Sequence, residues 1–217
     1  MCDPIDDPSS YLQVAERHGT KIRYVIDTHV HADHVSTGRK LAELAGAKYV
    51  LHASAGVRYP FFGVNDRDVL DLGNVQIQVL HTPGHTLEHL CLLVTDKTRS
   101  PEPWFLLTGH TLMVGDLGRT ELASSAEQGA RALFETTRKL KTLPDHIEIL
   151  PGAFSGSVCG RSLSGKPMST IGFERRFNQA FQIDDRDEFV RYMLQEIPTP
   201  PPNAAAIRAI NLGLQES

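Results

Sequence analysis

Cysteine is scarce in this chain, and we expect no secretion signal at its start. The 217 residues include only three cysteines, Cys2, Cys91 and Cys159. Such an odd and sparse set does not indicate a disulfide framework, and the absence of paired cysteines argues against a thiolate metal site. The first residues are acidic and lack the basic and apolar regions of a signal peptide. A reducing, cytoplasmic location is therefore expected.

Long apolar runs and an excess of positive charge are also absent. Apolar runs such as residues 90–94 and 104–107 are far shorter than the roughly 20 residues that a membrane-spanning helix needs. Acidic residues outnumber basic ones by 26 to 22, which gives a formal net charge of −4. The chain therefore has no basic field that could neutralise a phosphate backbone. We expect no membrane span and no nucleic-acid partner.

Histidine, in contrast, is plentiful and unevenly placed. Of the ten histidines, only His18 precedes His29 and only His146 follows His110. The segments around these histidines alternate between strand and helix patterns, which is typical of an α/β domain. The placement of the histidines relative to the strands is therefore more informative than their number.

Three predicted strands end in segments that carry histidine. Residues 22–26 lead into His29, residues 75–80 lead into His85, and residues 104–107 lead into His110. Further strands are predicted over residues 48–51, 89–94 and 147–150, and residues 65–73 are rich in turn formers. Helices are predicted over residues 9–18, 38–44, 126–140, 185–196 and 204–214, with a proline-rich spacer at 198–202.

The densest of these segments has the pattern His29-x-His31-x-Asp33-His34. Alternate side chains on an irregular loop can converge on one ion while the adjacent Asp-His pair reaches a neighbouring position. Imidazole and carboxylate ligands suit zinc, iron or manganese. The alternative is a hydrogen-bonded polar loop without a metal. His85 has the same two interpretations, because residues 83–84 could simply form a turn.

Four motifs of this chain resemble those of the metallo-β-lactamase superfamily, in the same order. They cover residues 28–34, 81–86, 108–120 and 151–159. Residues 114–120, 157–160 and 172–178 are similar to the persulfide dioxygenase branch, especially to members fused to rhodanese domains. The resemblance implies an α/β fold, the αββα sandwich. It would occupy residues 1–197 and lack the family's opening β-hairpin, and residues 198–217 would form the spacer and a short helix.

The resemblance also implies a set of metal ligands. In the dioxygenase branch one ferrous ion is held at the positions of His29, His85 and His110. The hydrolase branches bind two metals, the first through the equivalents of His29, His31 and His85. Their second metal uses the equivalents of Asp33 and His34 and a later histidine, and an aspartate at the position of His110 bridges the two.

Two departures from the family pattern weaken the second metal position. The family's Thr-Gly-Asp is Thr108-Gly109-His110 here, and its Pro-Gly-His is Pro151-Gly152-Ala153. Because no histidine follows His146, no nearby residue replaces the lost terminal ligand. Two remaining ligands seldom retain a divalent ion. We therefore expect one metal per chain, Fe²⁺ first and Zn²⁺ as the alternative.

The resemblance leaves three functions open. The leading one is a dioxygenase that uses O₂ to convert glutathione persulfide, or a related small persulfide, to sulfite and thiol, with a rhodanese as partner. The second is a thioester hydrolase in which Asp33 orients the nucleophile. The third is a metal-binding protein with little catalysis. Arg119 could bind substrate or brace its loop, and Cys159 could contact a sulfur substrate or be structural. His81 and His89 are expected to support the ligands or lie on the surface.

Overall fold

Contacts among the described residues group the chain into two units, Met1–Asn65 with Pro201–Ser217 and Asp66–Pro200. The computed structural model describes residues 1–157, 159–161, 163–195, 197, 199–200 and 203–215. In chain order the elements are α1 (Pro8–Arg17), β1 (Tyr24–Ile26), α2 (Gly38–Ala45), β2 (Lys48–His52), β3 (Phe62–Val64), β4 (Val69–Leu72), β5 (Val75–His81), β6 (Leu90–Asp96), β7 (Phe105–Gly109), α3 (Ala126–Leu140), β8 (Glu148–Pro151), β9 (Ser169–Thr170), α4 (Ile171–Phe177), α5 (Gln179–Gln182), α6 (Arg186–Leu194) and α7 (Ala204–Asn211).

The first unit is built on a parallel three-stranded sheet in the order β1-β2-β3. Val25 pairs with Tyr49 in the register of β1 and β2, and helix α2 connects these two strands. The apolar faces of the helices and the sheet share a core that includes Val25, Leu41 and Leu51, all fully buried. Burying this apolar surface holds β1 in place, and the loop that follows β1 carries His29.

The second unit is built on a six-stranded sheet in the order β4-β5-β6-β7-β8-β9. Neighbouring strands are antiparallel except for β7 and β8, which are parallel. Helix α3 begins where the Ser125 side chain accepts a hydrogen bond from the backbone N–H of Gln128. Its buried side chains, including Leu133 and Phe134, join the core of this unit. Strands β5 and β7 lead into the segments that carry His85 and His110.

Most predicted elements are confirmed, and the differences occur in short segments. The helix predicted over residues 126–140 is α3 with the same bounds, whereas β1 starts at Tyr24 rather than at residue 22. Residues 69–72, expected within a turn-rich segment, form the edge strand β4. The two-residue β9 and the short helices α4 and α5 were not predicted. These elements are too short to show a periodic pattern of their own.

The proposed spacer at 198–202 is only partly observed, because Pro198, Pro201 and Pro202 lie outside the described residues. The predicted terminal helix is present as α7 and groups by its contacts with the first unit. Among the helices that the structure describes, none is long and apolar enough to span a bilayer.

Leu133 provides a test of the core of the second unit. Its side chain is fully buried in α3, whereas Leu87 in the same unit is 37% exposed. We expect Leu133→Ala to lower the free energy of unfolding by about 2–5 kcal/mol, because it leaves a cavity. Leu87→Ala should change that free energy by no more than ~0.5 kcal/mol. Urea titrations of the two variants check this, and equal losses would show that α3 is misplaced.

Candidate metal centre

The loop after β1 is closed by Asp27. Its carboxylate accepts hydrogen bonds from the Ser36 hydroxyl, at 2.5 Å, and from the Tyr49 hydroxyl, at 2.7 Å. Burial raises the pKa of Asp27 above its usual value. The residue ties the beginning of the loop to its end and to strand β2. The histidines between residues 27 and 36 are therefore carried on a loop of defined shape.

Asp3 orients two of those histidines from the N-terminal segment. Its carboxylate accepts the backbone N–H of Thr28 at 2.6 Å, the Thr28 hydroxyl at 2.9 Å and Nε2–H of His31 at 3.1 Å. The Thr28 hydroxyl donates its proton to Asp3, so its oxygen accepts from Nδ1–H of His29, 3.0 Å away. The neutral ring of His29 then carries its lone pair on Nε2, and that of His31 carries it on Nδ1.

The carboxylates around His31 stabilise a proton on its ring, which a bound metal must displace. Burial lowers the pKa of His31, but the carboxylates of Asp3 and Asp33 and that of Asp27 raise it by more, so that its net pKa lies well above the usual value. Metal binding then competes with this proton. His31 is a buried imidazole held by a carboxylate, which is a common arrangement for metal-ligating histidines.

Asp33 and His34 lie beside His31 in the same loop. One candidate ligand atom from each of the three residues lies within 4.8 Å of the others. The ring centroid of His31 lies 4.1 Å from that of His29 and 4.2 Å from that of His34. The first unit alone thus brings together all four ligand-type side chains predicted for this loop.

In the second unit, His85 is placed by a close approach of backbone to helix. A Cβ atom at Gly84 would lie 2.6 Å from Cβ of Leu133, so only glycine lets this turn lie against α3. Nδ1 of His85 is 2.8 Å from the backbone oxygen of Arg119. Because a carbonyl oxygen only accepts, Nδ1 carries the proton and the lone pair of the neutral ring is on Nε2. His85 is therefore buried in the tautomer that suits a metal ligand through Nε2.

The backbone of His110 is hydrogen-bonded to the side chain of His89. The backbone N–H of His110 donates to Nε2 of His89 at 3.2 Å, so His89 carries its proton on Nδ1. That nitrogen is 2.9 Å from the hydroxyls of both Thr82 and Thr111. His89 is fully buried. The sequence left open whether His89 supports a ligand or lies on the surface, and in this unit it is buried and supports His110, a predicted ligand.

The rings of His85 and His110 come together, with centroids 5.1 Å apart and an edge-to-face arrangement. A ring nitrogen of His110 is also within 4.8 Å of the sulfur of Cys159. Ala153 does not add a polar group here, because it is buried in a small apolar cluster with Met113 and Cys159. The position of the family's terminal histidine is thus occupied by a packed methyl group.

The structure gives Arg119 a bracing contact. Its guanidinium is buried, pairs with Glu121 and donates to the backbone oxygen of Thr199 at 3.1 Å. Its backbone oxygen is the partner of His85. These contacts favour the loop-bracing role over the substrate-binding role that the sequence left open. Cys159 is buried and packs with Met113 and Ala153, as a structural residue does, and its sulfur also lies near His110.

Sequence patterns do not indicate a functional role for Asp3. It precedes a proline in the acidic segment before α1. Nothing in the spacing links it to residues 28–31. Its role depends on the isolated bridge that pairs Cys2 with Ile26 and so brings Asp3 beside the end of β1.

Gly118 offers a test of the packing at His110. A Cβ atom at this position would lie 1.9 Å from the backbone oxygen of His110 and 3.3 Å from Nδ1 of His85. We expect Gly118→Ala to destabilise the chain by at least the roughly 1–3 kcal/mol typical of overpacking. Gly165→Ala is the matched control, since its Cβ would meet only an atom 4.0 Å away. Thermal melting that is equally affected in both variants would contradict the placement of His110.

Comparison with known proteins supplies the family. The sequence profile of the metallo-beta-lactamase superfamily matches residues 3–152. A hydroxyacylglutathione hydrolase of Polaromonas sp. (strain JS666) is 32% identical over 154 residues, which is 69% of this chain and 55% of that protein.

Two solved structures share the fold over nearly the whole chain. A metallo-beta-lactamase from Staphylococcus aureus subsp. aureus COL is 36% identical with a TM-score of 0.90, covering 97% of this chain and 64% of that one. ETHE1 from Myxococcus xanthus is 28% identical with a TM-score of 0.80, covering 99% of this chain and 88% of that one. The chain thus spans a little over half of the hydrolase and under two thirds of the staphylococcal protein. It belongs to the metallo-β-lactamase superfamily, a superfamily of metal-dependent enzymes, and has the α/β fold class predicted for it.

Proposed function

We propose that this chain is a mononuclear iron dioxygenase that oxidises glutathione persulfide, or a related small persulfide, with O₂ to sulfite and thiol. The observation that carries the proposal is His110, which stands where the superfamily's bridging aspartate is expected. A bridging carboxylate serves two ions, whereas an imidazole nitrogen binds one. The similarity to ETHE1 of Myxococcus xanthus over 99% of the chain supports this branch of the superfamily.

The donors present fit a borderline metal such as Fe²⁺ or Zn²⁺. We assign His29, His85 and His110 to one ion, with His31 and His34 as further ligands, and family membership and the order of the motifs support this assignment. The tautomers of His29 and His85 fit this assignment, because hydrogen bonds at Nδ1 place the lone pair of each ring on Nε2. When bound, a ferrous ion supplies the redox chemistry that O₂ needs in order to react with sulfur.

The chain's own residues prepare this chemistry by fixing geometry. Asp3 holds Thr28 and His31, and the backbone of Arg119 holds His85. These contacts set ring orientations before any ligand arrives, so little ordering remains to be done upon binding. Cys159, beside His110, is proposed to contact the persulfide sulfur, whereas Arg119, paired with Glu121, is proposed to brace its loop. The sulfane sulfur is oxidised by O₂, and water supplies the remaining oxygen of sulfite.

Thioester hydrolysis is the second candidate, and the loop of the first unit favours it. Asp33 and His34 are retained, with the Asp33 carboxylate 3.1 Å from Nδ1 of His34. In this alternative Asp33 orients the attacking water as a catalytic residue. The relative from Polaromonas carries the name of such a hydrolase. The packed methyl of Ala153 argues against it, since the second metal position then lacks its terminal ligand.

Two assays on one anaerobic, iron-loaded preparation distinguish these candidates. We expect O₂ uptake matched by sulfite formation when glutathione persulfide is added, and no cleavage of a glutathione thioester. Thioester cleavage without O₂ uptake would select the hydrolase and overturn the proposal. Metal binding without either activity would indicate a protein that keeps the metal but not the catalysis. A rhodanese added to the assay tests the proposed partner, through O₂ uptake from thiosulfate and glutathione that requires both proteins. O₂ uptake is the readout because sulfur transfer from thiosulfate to glutathione itself releases sulfite.

Metal retention tests the assignment of His85. We expect His85→Ala to lose iron and zinc on dialysis, because it removes one of the three histidines assigned to the ion. His146→Ala is the control, since His146 is exposed in the same unit and its ring nitrogen lies 3.3 Å from the backbone oxygen of Pro103. Atomic absorption measures the metal content of both variants. Full retention by His85→Ala would remove this residue from the ligand set. His89→Ala is unsuitable as a silent control, because His89 supports His110.

His110 gives the sharpest test of the reaction. Relative to aspartate, a neutral imidazole removes one negative charge beside the metal and so donates less electron density to the reaction with O₂. We expect His110→Asp to retain metal and raise dioxygenase turnover, and His110→Ala to lose metal. The measurements are metal titration and O₂ uptake on both variants. If His110→Ala binds iron as tightly as the parent chain, His110 is not a ligand and His31 takes its place.

A further inference from the structure

The side chain of Asn211, near the end of the chain, is bonded to the backbone of the histidine loop. Its Nδ2 donates to the backbone oxygen of His31 at 2.9 Å and to that of His34 at 2.8 Å. Its Oδ1 accepts the backbone N–H of Ser36 at 3.0 Å. Both donor hydrogens of the amide and its oxygen are therefore engaged by one loop. The residue is 8% exposed, so water does not readily replace these bonds.

Arg208 adds a further bond from the same face of α7. It lies three residues before Asn211, and residues with this spacing are neighbours on a helix surface. Its Nη1 donates to the backbone oxygen of Val30 at 2.6 Å. Two side chains of α7 thus hold four backbone groups between residues 30 and 36. The loop forms no helix or strand of its own. These side-chain bonds therefore take the place of the backbone hydrogen bonds that a helix or sheet would provide.

Helix α7 is itself anchored to the first unit. The Tyr59 hydroxyl donates to the backbone oxygen of Asn211 at 2.6 Å, and the backbone N–H of Arg58 donates to that of Leu212 at 2.8 Å. The side chain of Leu212 packs against the core of this unit. The helix is therefore a fixed support for the loop, although some 175 residues separate Asn211 from Ser36 in the chain.

We propose that Asn211 and Arg208 are positioning residues for the metal centre, which set the spacing of His31, Asp33 and His34 through the loop backbone. The proposal rests on the metal binding proposed above. It places part of the metal centre's support in a helix beyond residues 3–152, where the superfamily profile matches. Support residues of this kind typically change metal affinity by about 10–100-fold when they are replaced.

The test compares two substitutions of the same chemistry on the same helix. Asn211→Asp keeps the acceptor for Ser36 but replaces both donors with a carboxylate oxygen facing two carbonyl oxygens. Asn203→Asp is the matched control, because Asn203 is exposed at the start of α7 and its side chain makes no capping bond. The probe is Co²⁺, with affinity measured by chelator competition and coordination by the visible absorption bands.

We expect Asn211→Asp to bind Co²⁺ about 10–100-fold more weakly, with altered absorption bands, and Asn203→Asp to match the parent. An added carboxylate attracts a cation, so weaker binding runs against the electrostatic trend and reports on position. Arg208→Gln should shift the affinity and the bands in the same direction as Asn211→Asp, and Arg208→Lys should restore part of the loss. Unchanged affinity and bands in both Asn211→Asp and Arg208→Gln would overturn the proposal.

Amide hydrogen exchange on the metal-free chain separates this inference from the proposed function. We expect residues 30–36 to exchange faster in Asn211→Asp and Arg208→Gln than in the parent and in Asn203→Asp. A parent chain that binds no Co²⁺ would contradict the metal centre, while the exchange rates would still test the contact. If Asn211→Asp loses its helical circular dichroism, and so is unfolded, the exchange rates of Arg208→Gln test the proposal instead. Exchange at the parent rate in a folded Arg208→Gln chain would then count against the proposal.

Discussion

The proposed metal centre depends on one constraint, that a buried imidazole must have its second ring nitrogen hydrogen-bonded in a fixed direction. Burial removes water as an alternative partner, so the protein must supply the bond and thereby chooses the tautomer. In the first unit Asp3 does this for His31 directly and for His29 through the Thr28 hydroxyl. In the second unit the backbone oxygen of Arg119 does it for His85. The same physical requirement is met by a carboxylate in one unit and by a peptide group in the other.

This constraint explains why the residues that support the histidines are themselves closely packed. Gly84 and Gly118 leave no room for a side chain beside Leu133 and His110, and His89 is buried behind the backbone of His110. Both departures from the expected family pattern, His110 and Ala153, lie within this packing. His110 keeps a nitrogen donor where the superfamily has a carboxylate, and Ala153 fills its space with a methyl group packed on Met113 and Cys159. These two residues support the proposal that the chain holds one ion rather than two.

Sequence patterns predicted the parts of the molecule that are local and periodic. Helix α3 and the strands that lead into His85 and His110 follow from their spacing of apolar residues, and the ligand-type side chains follow from their density after β1. The edge strand β4 and the short helices α4 and α5 could not be predicted in this way. Each has too few residues to show a periodic spacing of apolar side chains, so contacts with neighbouring elements decide its structure. Asp3 and Asn211 were not predicted for a related reason. Each acts through bonds to a loop that is distant in sequence, and such contacts leave no spacing signal.

The central claim is a single ion held by histidine nitrogens, and X-ray absorption of the iron-loaded chain tests it most directly. The account predicts one iron per chain, scattering from several imidazole rings, and no metal–metal scattering at the separation of about 3.5–4 Å that two-metal sites show. The measurement does not depend on substrate, so it tests the centre apart from the reaction. Two irons per chain with metal–metal scattering in that range would contradict the account, because they would show that His110 and Ala153 do not prevent a second ion from binding.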